Sequence, residues 1–327
     1  MSGRHSELTF TGPATFFKAP YLPLKPEAEM PDRVANAGAA PHYDVAFLGV
    51  PYDFAVGFRP GARFAPAAVR AASGRYALPP QGFYDFATDS YRLAGARLVD
   101  AGDVDMAQLE TEVSLDRISE AAAAVRALSR LPVFVGGDHS VSHPLLRAFH
   151  DVPDLHVVQL DAHLDFSDSR NATRLANSSP FRRAVEALPN LSHITVVGLR
   201  GVRADAEAFG AARARGHTLV GAAAVHESVA DVLAALPSGK NVYLSVDVDV
   251  LDPSELPGTS SPEPEGLTYG QVRDLVKATL ERNRLVGMDI TELAPNLDPS
   301  GRSELLTARL VAETLAMWWE SSDGQWP

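Results

Sequence analysis

The sequence predicts an α/β protein in which a mostly parallel central sheet lies between two layers of helices. Two observations support this prediction. Short apolar runs alternate with amphipathic segments along most of the chain, and several of these runs end in acidic or histidine residues. Alternating strands and helices are typical of parallel sheets, whose strands are buried on both faces. Parallel strands also share one carboxyl edge, where such proteins bind ligands.

Eight apolar runs are predicted strands, at 44–50, 97–103, 132–135, 155–160, 193–199, 217–220, 241–246 and 285–290. Helices are predicted at 66–72, 112–128, 142–150, 204–215, 227–236, 268–281 and 303–320. Polar, turn-rich loops are expected at 166–180 and 256–266. Residues 1–40 lack periodicity and are expected to form an N-terminal arm that packs on the body or on a neighbouring subunit. Residues 41–327 are expected to form a single domain.

The amino-acid composition excludes several classes of protein and several kinds of binding partner. A formal net charge of −12 argues against a nucleic-acid or anionic-membrane partner and fits, weakly, a cationic ligand. The absence of cysteine excludes disulfides and thiolate metal ligands. No segment approaches the ~18 consecutive apolar residues of a membrane span, and residues 1–20 lack the apolar core of a signal peptide. We therefore expect a cytoplasmic protein.

Four predicted strands end in polar groups, six of which are candidate metal ligands. His139 follows the strand at 132–135, and Asp161, His163 and Asp165 follow the strand at 155–160. Asp247 and Asp249 follow the strand at 241–246, and Glu292 follows the strand at 285–290. In an extended chain alternate side chains share a face, so Asp161, His163 and Asp165 are expected to point to one side together, as are Asp247 and Asp249. Carboxylates packed this closely repel one another unless a cation lies between them.

Two imidazoles and four carboxylates exceed what one small cation can use, so the sequence predicts two ions. This oxygen-rich set without thiolates suits Mn²⁺, whereas tetrahedral Zn²⁺ favours fewer ligands with more nitrogen or sulfur. Two ions ~3.5–4 Å apart can convert a bridging water into a hydroxide near neutral pH. Hydrolysis at a polar carbon centre is therefore the expected reaction class.

These motifs, taken together, resemble the ureohydrolase family of arginases and agmatinases. They are GGDHS at 136–140, DAHLD at 161–165, SVDVDVLDP at 245–253 and TELAP at 291–295, in the order of the family. The similarity extends through GVPYD at 49–53 and RPGARFAP at 59–66. It thus covers the chain from about residue 40 to its end.

The resemblance implies an arginase-like three-layer fold, a single ureohydrolase catalytic domain and a homo-oligomer, either trimer or hexamer. It implies two Mn²⁺ ions, with Ni²⁺ as the alternative metal, held by His139, Asp161, His163, Asp165, Asp247 and Asp249. A bridging hydroxide would attack the guanidinium carbon, Asp165 would take its proton, and Glu292 would pair with the guanidinium nitrogens. A carboxylate suits that last role because it binds planar guanidinium through two oxygens.

The substrate is expected to be a small cationic guanidino compound. Segments 49–53 and 59–66, and the lack of an arginase-like amino-acid-binding loop, favour agmatine, which would give putrescine and urea for polyamine biosynthesis. Asn177 stands where relatives carry a proton-shuttle histidine, and an amide has no titratable proton to donate. Segment 258–262 reads GTSSP where most relatives carry GTGTP. Asn177 and Asp168 are expected to line the pocket, with Asp168 meeting the distal ammonium of agmatine.

Several alternatives stay open from the sequence. The two departures from the family pattern allow another guanidino substrate, guanidinobutyrate or guanidine. A catalytically silent partner subunit or a metal-dependent structural protein is a further alternative, although degenerate subunits usually lose ligands and this chain retains all six. A deacetylase-like enzyme would use a single zinc ion and fewer carboxylates. Hydrolysis of formiminoglutamate would require a cationic pocket for two carboxylates.

Overall fold

An eight-stranded parallel sheet forms the centre of the protein. A computed structural model describes residues 8–24, 42–78 and 80–321. Its strands are β1 (Tyr43–Gly49), β2 (Phe83–Asp85), β3 (Ser90–Arg92), β4 (Leu98–Asp103), β5 (Ser129–Val135), β6 (Leu155–Leu160), β7 (Leu191–Leu199), β8 (Thr218–Gly221), β9 (Asn241–Asp247) and β10 (Arg284–Thr291). The sheet order is β4-β1-β5-β10-β9-β6-β7-β8, and β2 pairs with β3 in a separate antiparallel hairpin. Every neighbouring pair in the large sheet is parallel.

Helices cover both faces of this sheet. They are α1 (Ala65–Ser73), α2 (Thr111–Leu128), α3 (Ser142–Arg147), α4 (Pro180–Ala187), α5 (Ala206–Ala214), α6 (Ala222–Glu227), α7 (Val229–Ala235), α8 (Tyr269–Arg282) and α9 (Arg302–Ser321). Apolar side chains of α1 and α6–α9 share one core with the sheet, and those of α2–α5 share the other. Side chains of β1 alternate between the two cores, with Phe47 in the first and Leu48 in the second. The predicted three-layer architecture is confirmed.

Some local predictions were incomplete. Helix α4 was not predicted, although Pro180 at its start suits a first helical turn and Phe181 is fully buried. The helix predicted at 227–236 corresponds to α7, which begins where the Ser228 hydroxyl accepts the Asp231 N–H, and α6 at Ala222–Glu227 was not predicted. Helix α3 ends at Arg147 rather than at residue 150. The β2–β3 hairpin was also missed, since its strands are only three residues long.

The described part of the N-terminal arm, residues 8–24, packs on the body of the same chain. Phe16 and Phe17 are buried, and both rings lie against the ring of Phe47 in β1. The Phe16 N–H donates to Oδ2 of Asp100 over 3.0 Å. This segment therefore covers one edge of the sheet.

The four strands that carry the predicted site are adjacent in the sheet, in the order β5-β10-β9-β6. They end at Val135, Thr291, Asp247 and Leu160. The polar residues that follow them in sequence therefore meet at one carboxyl edge, as the alternation of strands and helices predicted. Within the described residues, no helix is long and apolar enough to cross a membrane.

Candidate metal centre

A histidine and three carboxylates form the first potential ligand group. Nδ1 of His139 lies 3.0 Å from Oδ2 of Asp161, 3.0 Å from Oδ2 of Asp165 and 3.2 Å from Oδ2 of Asp247. His139 follows β5 in a short 3₁₀ turn, and its ring is fully buried against the edge of Phe181. One nitrogen surrounded by three carboxylate oxygens is an arrangement that a small cation can occupy.

A second potential ligand group adjoins the first through Asp161. Nδ1 of His163 lies 3.0 Å from Oδ2 of Asp249 and 3.7 Å from Oδ1 of Asp161. Asp161 thus offers one oxygen to each group, and the two groups are His139, Asp161, Asp165 and Asp247, and Asp161, His163 and Asp249. All six predicted residues are brought together in this way. Two adjacent groups that share a carboxylate favour a pair of ions.

The expectation that Asp161, His163 and Asp165 share one face of an extended chain was wrong. Strand β6 ends at Leu160, and Asp165 has a left-handed backbone with φ +51°. The segment therefore bends, and His163 joins the second group while Asp165 joins the first. Asp247 and Asp249 are likewise divided, because a 3₁₀ turn at Val248–Val250 begins where β9 ends.

The electrostatics of the cluster fit bound cations. Nδ1 of His139 is buried and has no hydrogen-bond partner among the described residues, although three carboxylate oxygens surround it. Burial and the charge of Asp161 raise the pKa of Asp165 to about 7, and burial with the charges of Asp249 and Asp161 raises the pKa of Asp247 well above its ordinary value. Positive ions at the cluster would supply the missing opposite charge.

A row of three polar side chains lies one layer beneath these ligands, and the sequence reasoning missed it. Gln159, Ser245 and Asp289 are in register on β6, β9 and β10, and each is fully buried. Nε2 of Gln159 donates to Oδ2 of Asp161 over 2.7 Å. Nε2 of His139 lies 3.0 Å from the Ser245 hydroxyl, which donates to Oδ1 of Asp289 over 2.6 Å. The row therefore orients two ligands, Asp161 after β6 and His139 after β5.

Asp289 in turn is fixed by two further hydroxyl groups. Its Oδ2 accepts from Ser142 over 2.7 Å and from Tyr243 over 2.8 Å. Burial raises the pKa of Asp289, while the nearby His139 and these donors act to lower it. A His139 ring whose Nε2 donates to Ser245 can present Nδ1 to a metal ion, which is the tautomer that a metal ligand requires.

Glu292 lies beside the first ligand group. Its backbone has φ +62°, and its N–H donates to the Gly137 carbonyl over 2.9 Å. The side chain is 3% exposed, and its Oε1 accepts the backbone N–H of His139 over 2.9 Å. Burial raises the pKa of Glu292, and its hydrogen bonds act in the opposite direction. A buried, fixed carboxylate next to a metal cluster can hold a cationic substrate there.

The two departures from the family pattern meet at this carboxylate. Nδ2 of Asn177 donates to Oε1 of Glu292 over 3.2 Å, and the Ser260 hydroxyl donates to Oε2. Asn177 thus lies against Glu292, and its role toward a substrate stays a prediction. The contact of Ser260 with Glu292 was not predicted.

The predicted pocket residue Asp168 lies apart from this cluster. Its carboxylate is half exposed and binds Arg183 over 2.8 Å and Arg174 over 3.2 Å. Hydrogen bonds from Arg183 and Arg174 lower its pKa. Its role toward a substrate remains a prediction.

The loop at 256–266 is fixed over the site by two arginines. Arg200 donates to the backbone carbonyls of Asp249 and Glu263, over 2.6 and 3.0 Å. Arg59 donates to the carbonyls of Thr259 and Ser260, over 3.0 and 3.2 Å. The contacts of Arg59 fix the backbone at Ser260. The Ser260 hydroxyl is thereby held against Glu292.

Comparison with known proteins identifies the family of this chain. The family model described as "Arginase family" matches residues 43–317. The chain belongs to the arginase family. It is therefore a hydrolase of amidino C–N bonds and a ureohydrolase of guanidino compounds, and the resemblance stated from its motifs is confirmed.

Relatives of this arginase-family chain differ in the substrates for which they are named. It is 31% identical to guanidinobutyrase of Pseudomonas aeruginosa over 94% of this chain and 93% of the relative. It is 32% identical to agmatinase of Bacillus anthracis over 84% of this chain and 92% of the relative. The solved structure of proclavaminate amidino hydrolase from Streptomyces clavuligerus is similar with a TM-score of 0.81 and 28% identity, covering 96% of this chain and 99% of that one.

Proposed function

We propose that this ureohydrolase releases urea and a primary amine from a small guanidino compound, with two Mn²⁺ ions bound by His139, Asp161, His163, Asp165, Asp247 and Asp249. The observation that carries the proposal is the sharing of Asp161 between two ligand groups beside the buried carboxylate of Glu292. The choice of Mn²⁺ rests on the four carboxylates and the absence of thiolates.

The proposed reaction divides its tasks among the residues of the site. Two bound cations would acidify a water so that it can attack at neutral pH. Glu292 holds the guanidinium group through its carboxylate and so fixes the carbon that is attacked. Asp165 accepts the proton of the attacking water. The bond from the guanidinium carbon to the alkyl nitrogen then breaks, giving urea and the amine.

The leaving amine needs a proton, and Asn177 has no titratable one to give. We propose that Asp165 returns the proton that it accepted, directly or through a solvent water. Asn177 instead acts on Glu292, since its amide donates to Oε1. Its task in this scheme is to orient the carboxylate that binds the guanidinium group.

Agmatine, which would give putrescine and urea, is the substrate favoured by the sequence motifs. Guanidinobutyrate is the second candidate, because the relatives carry both activities in their names. The two compounds share the guanidinium group and differ in the charge of the tail. We also keep the cytoplasmic location and the homo-oligomer, trimer or hexamer, as proposals.

The experiment that tests this function is urea release by the full chain reconstituted with Mn²⁺. Agmatine, guanidinobutyrate, arginine and guanidine are compared at equal concentration, formiminoglutamate is assayed beside them by release of formamide, and the series is repeated with Ni²⁺. Asp249→Asn removes one proposed ligand, and Asp231→Asn on α7 is the matched control. Urea from at least one guanidino compound, lost in Asp249→Asn and kept in Asp231→Asn, supports the proposal.

Three results would contradict it. Unchanged turnover with full metal occupancy in Asp249→Asn would remove the proposed metal site. Neither urea nor formamide from any compound with either metal bound would favour the silent partner subunit. Turnover of formiminoglutamate alone would keep the metal site but reject a guanidino substrate.

A further inference from the structure

A small pocket of about 70 Å³ opens beside the metal centre. It lies between the loop that follows β6 and the loop that follows β7. His163 and Asp165 line one end, and Phe166 and Phe209 contribute apolar walls. The pocket is therefore placed to receive the part of a substrate that extends away from the guanidinium group.

Arg170 lines this pocket from a tight turn. Its N–H donates to the Thr173 carbonyl over 2.8 Å, and the Thr173 N–H donates back over 3.0 Å. The two residues between them, Asn171 and Ala172, both have a left-handed backbone, with φ of +48° and +63°. The Arg170 side chain is half-buried, and no contact with a carboxylate is found for it within the described part of the chain. The turn thus fixes the backbone of Arg170, and no ion pair with a described residue holds its guanidinium.

Arg203 lines the same pocket from the loop after β7. It is exposed, and it too makes no ion pair with a described residue. Arg200 is a third cationic lining residue, but its guanidinium is occupied by backbone carbonyls. The cationic groups available to a ligand are therefore Arg170 and Arg203.

Carboxylates that could neutralise these arginines are few. Of the described residues, Asp205 is the one acidic lining residue besides Asp165, and its side chain accepts the Glu207 N–H at the start of α5. Glu263 lies nearby, with its carboxylate 3.8 Å from Nε2 of His163. The pocket thus presents two arginines, Arg170 and Arg203, that have no ion pair with a described residue, and an unpaired guanidinium attracts anionic groups.

We propose that Arg170 and Arg203 bind the carboxylate tail of a guanidino acid whose guanidinium group pairs with Glu292. The substrate class is then a guanidino acid of the guanidinobutyrate type and not agmatine, whose ammonium tail both arginines would repel. Arginine suits this role because its planar group binds a carboxylate through two parallel hydrogen bonds. This inference rests on the proposed function.

The test compares three compounds that share the guanidinium group and differ in the charge of the tail. They are guanidinobutyrate, agmatine and butylguanidine, whose tail is neutral. Arg170→Ala and Arg203→Ala are measured as Mn²⁺-loaded protein, with Arg215→Ala as the control. Arg215 is exposed just after α5 and is not one of the residues that line the pocket. Urea release gives kcat and KM separately for each compound.

We expect the wild type to prefer guanidinobutyrate. Each alanine variant should raise the KM for guanidinobutyrate about tenfold or more, as expected for a lost hydrogen bond to a charged group. The same variants should leave the values for butylguanidine unchanged, and Arg215→Ala should change none. Arg203→Glu should raise kcat/KM for agmatine, and this exposed position keeps the test valid if Arg170→Ala does not fold.

Preference of the wild type for agmatine, or an unchanged KM for guanidinobutyrate in Arg203→Ala and Arg203→Glu, would overturn the inference while leaving the ureohydrolase function intact. Absence of urea from all three compounds would instead reject the proposed function. An equal loss on butylguanidine and guanidinobutyrate would show that the arginines support the fold and not the tail.

Discussion

The side-chain amide of Asn177 donates to Oε1 of Glu292 over 3.2 Å, although 115 residues separate the two in sequence. Oε1 also accepts the His139 N–H, and Ser260 donates to Oε2. Glu292 is thus fixed by three donors beside the metal ligands. A neutral amide and a hydroxyl occupy the space around the carboxylate that is proposed to bind the guanidinium group.

Removing the amide should weaken substrate binding. We expect Asn177→Ala to lower kcat/KM about tenfold, because Glu292 loses one of its orienting hydrogen bonds. Asn177→His should introduce an ionisation near pH 6.5, where a free imidazole titrates. The measurement is kcat and kcat/KM against pH for the wild type and both variants, with metal content checked in each. Superimposable pH profiles of the wild type and Asn177→His would contradict the placement of residue 177 beside Glu292.

The division of the ligands into two groups predicts different metal losses. Asp249→Asn should leave one ion per chain, because Asp249 belongs to the second group alone, whereas Asp161→Asn should weaken both positions. Metal content is measured by elemental analysis after dialysis against a weak chelator. Equal losses in the two variants would contradict the arrangement in which Asp161 is shared.

The polar row beneath the ligands should tune metal affinity without touching the ions. Asp289→Asn removes the charge that fixes Ser245 and, through it, the ring of His139. We expect the metal affinity to fall about tenfold to a hundredfold. Tyr243→Phe removes only one donor to Asp289 and should have a smaller effect. Competition with a chromogenic chelator measures both, and an unchanged affinity in Asp289→Asn would exclude this role.

Asp298 should contribute stability that depends on pH. Burial opposes its ionisation, but hydrogen bonds from Ser300 and Ser303 outweigh burial and hold its pKa well below the ordinary value. An acid with a lowered pKa stabilises the fold above its unfolded pKa, about 3.9, and that stability is lost as the pH falls toward the folded pKa.

We therefore expect Asp298→Ala to lower the free energy of unfolding by about 1–2 kcal/mol at pH 7 and at pH 5, as for loss of a helix cap. The difference from the wild type should shrink below about pH 4. Urea unfolding of the metal-free protein at pH 7, 5 and 3.5 measures it. Asp274→Ala is the control, because Asp274 is an exposed residue on α8. A difference that stays constant down to pH 3.5 would contradict the assignment.

The fold and the ligand set were predictable because their signals are local. Apolar runs with acidic ends identify buried parallel strands, and the adjacency of β5, β10, β9 and β6 then brings the strand ends together. The polar row could also have been found. Gln159 and Ser245 each stand two positions before a predicted ligand, Asp161 and Asp247, and a period of two places such residues on the same face, while Asp289 is a charged residue inside the apolar run at 285–290.

Other features had no local signal. The contact of Ser260 with Glu292 joins two loops whose relative position depends on the carbonyl contacts of Arg59 and Arg200. The bend after β6 depends on the left-handed backbone of Asp165, a conformation that is uncommon for aspartate and that the pattern of residues did not reveal. Tertiary contacts decide both, so a sequence pattern alone could not.

The ligand groups draw on three strands, β5, β9 and β6, whose ends meet in space although the ligands are spread from residue 139 to residue 249 along the chain. An unfolded chain cannot assemble such a site, so ions that bind there bind the native state alone and shift the folding equilibrium toward it by mass action. Chelation should therefore lower the melting temperature as well as the rate of urea release. The thermal stability of this ureohydrolase becomes a function of the free metal concentration around it.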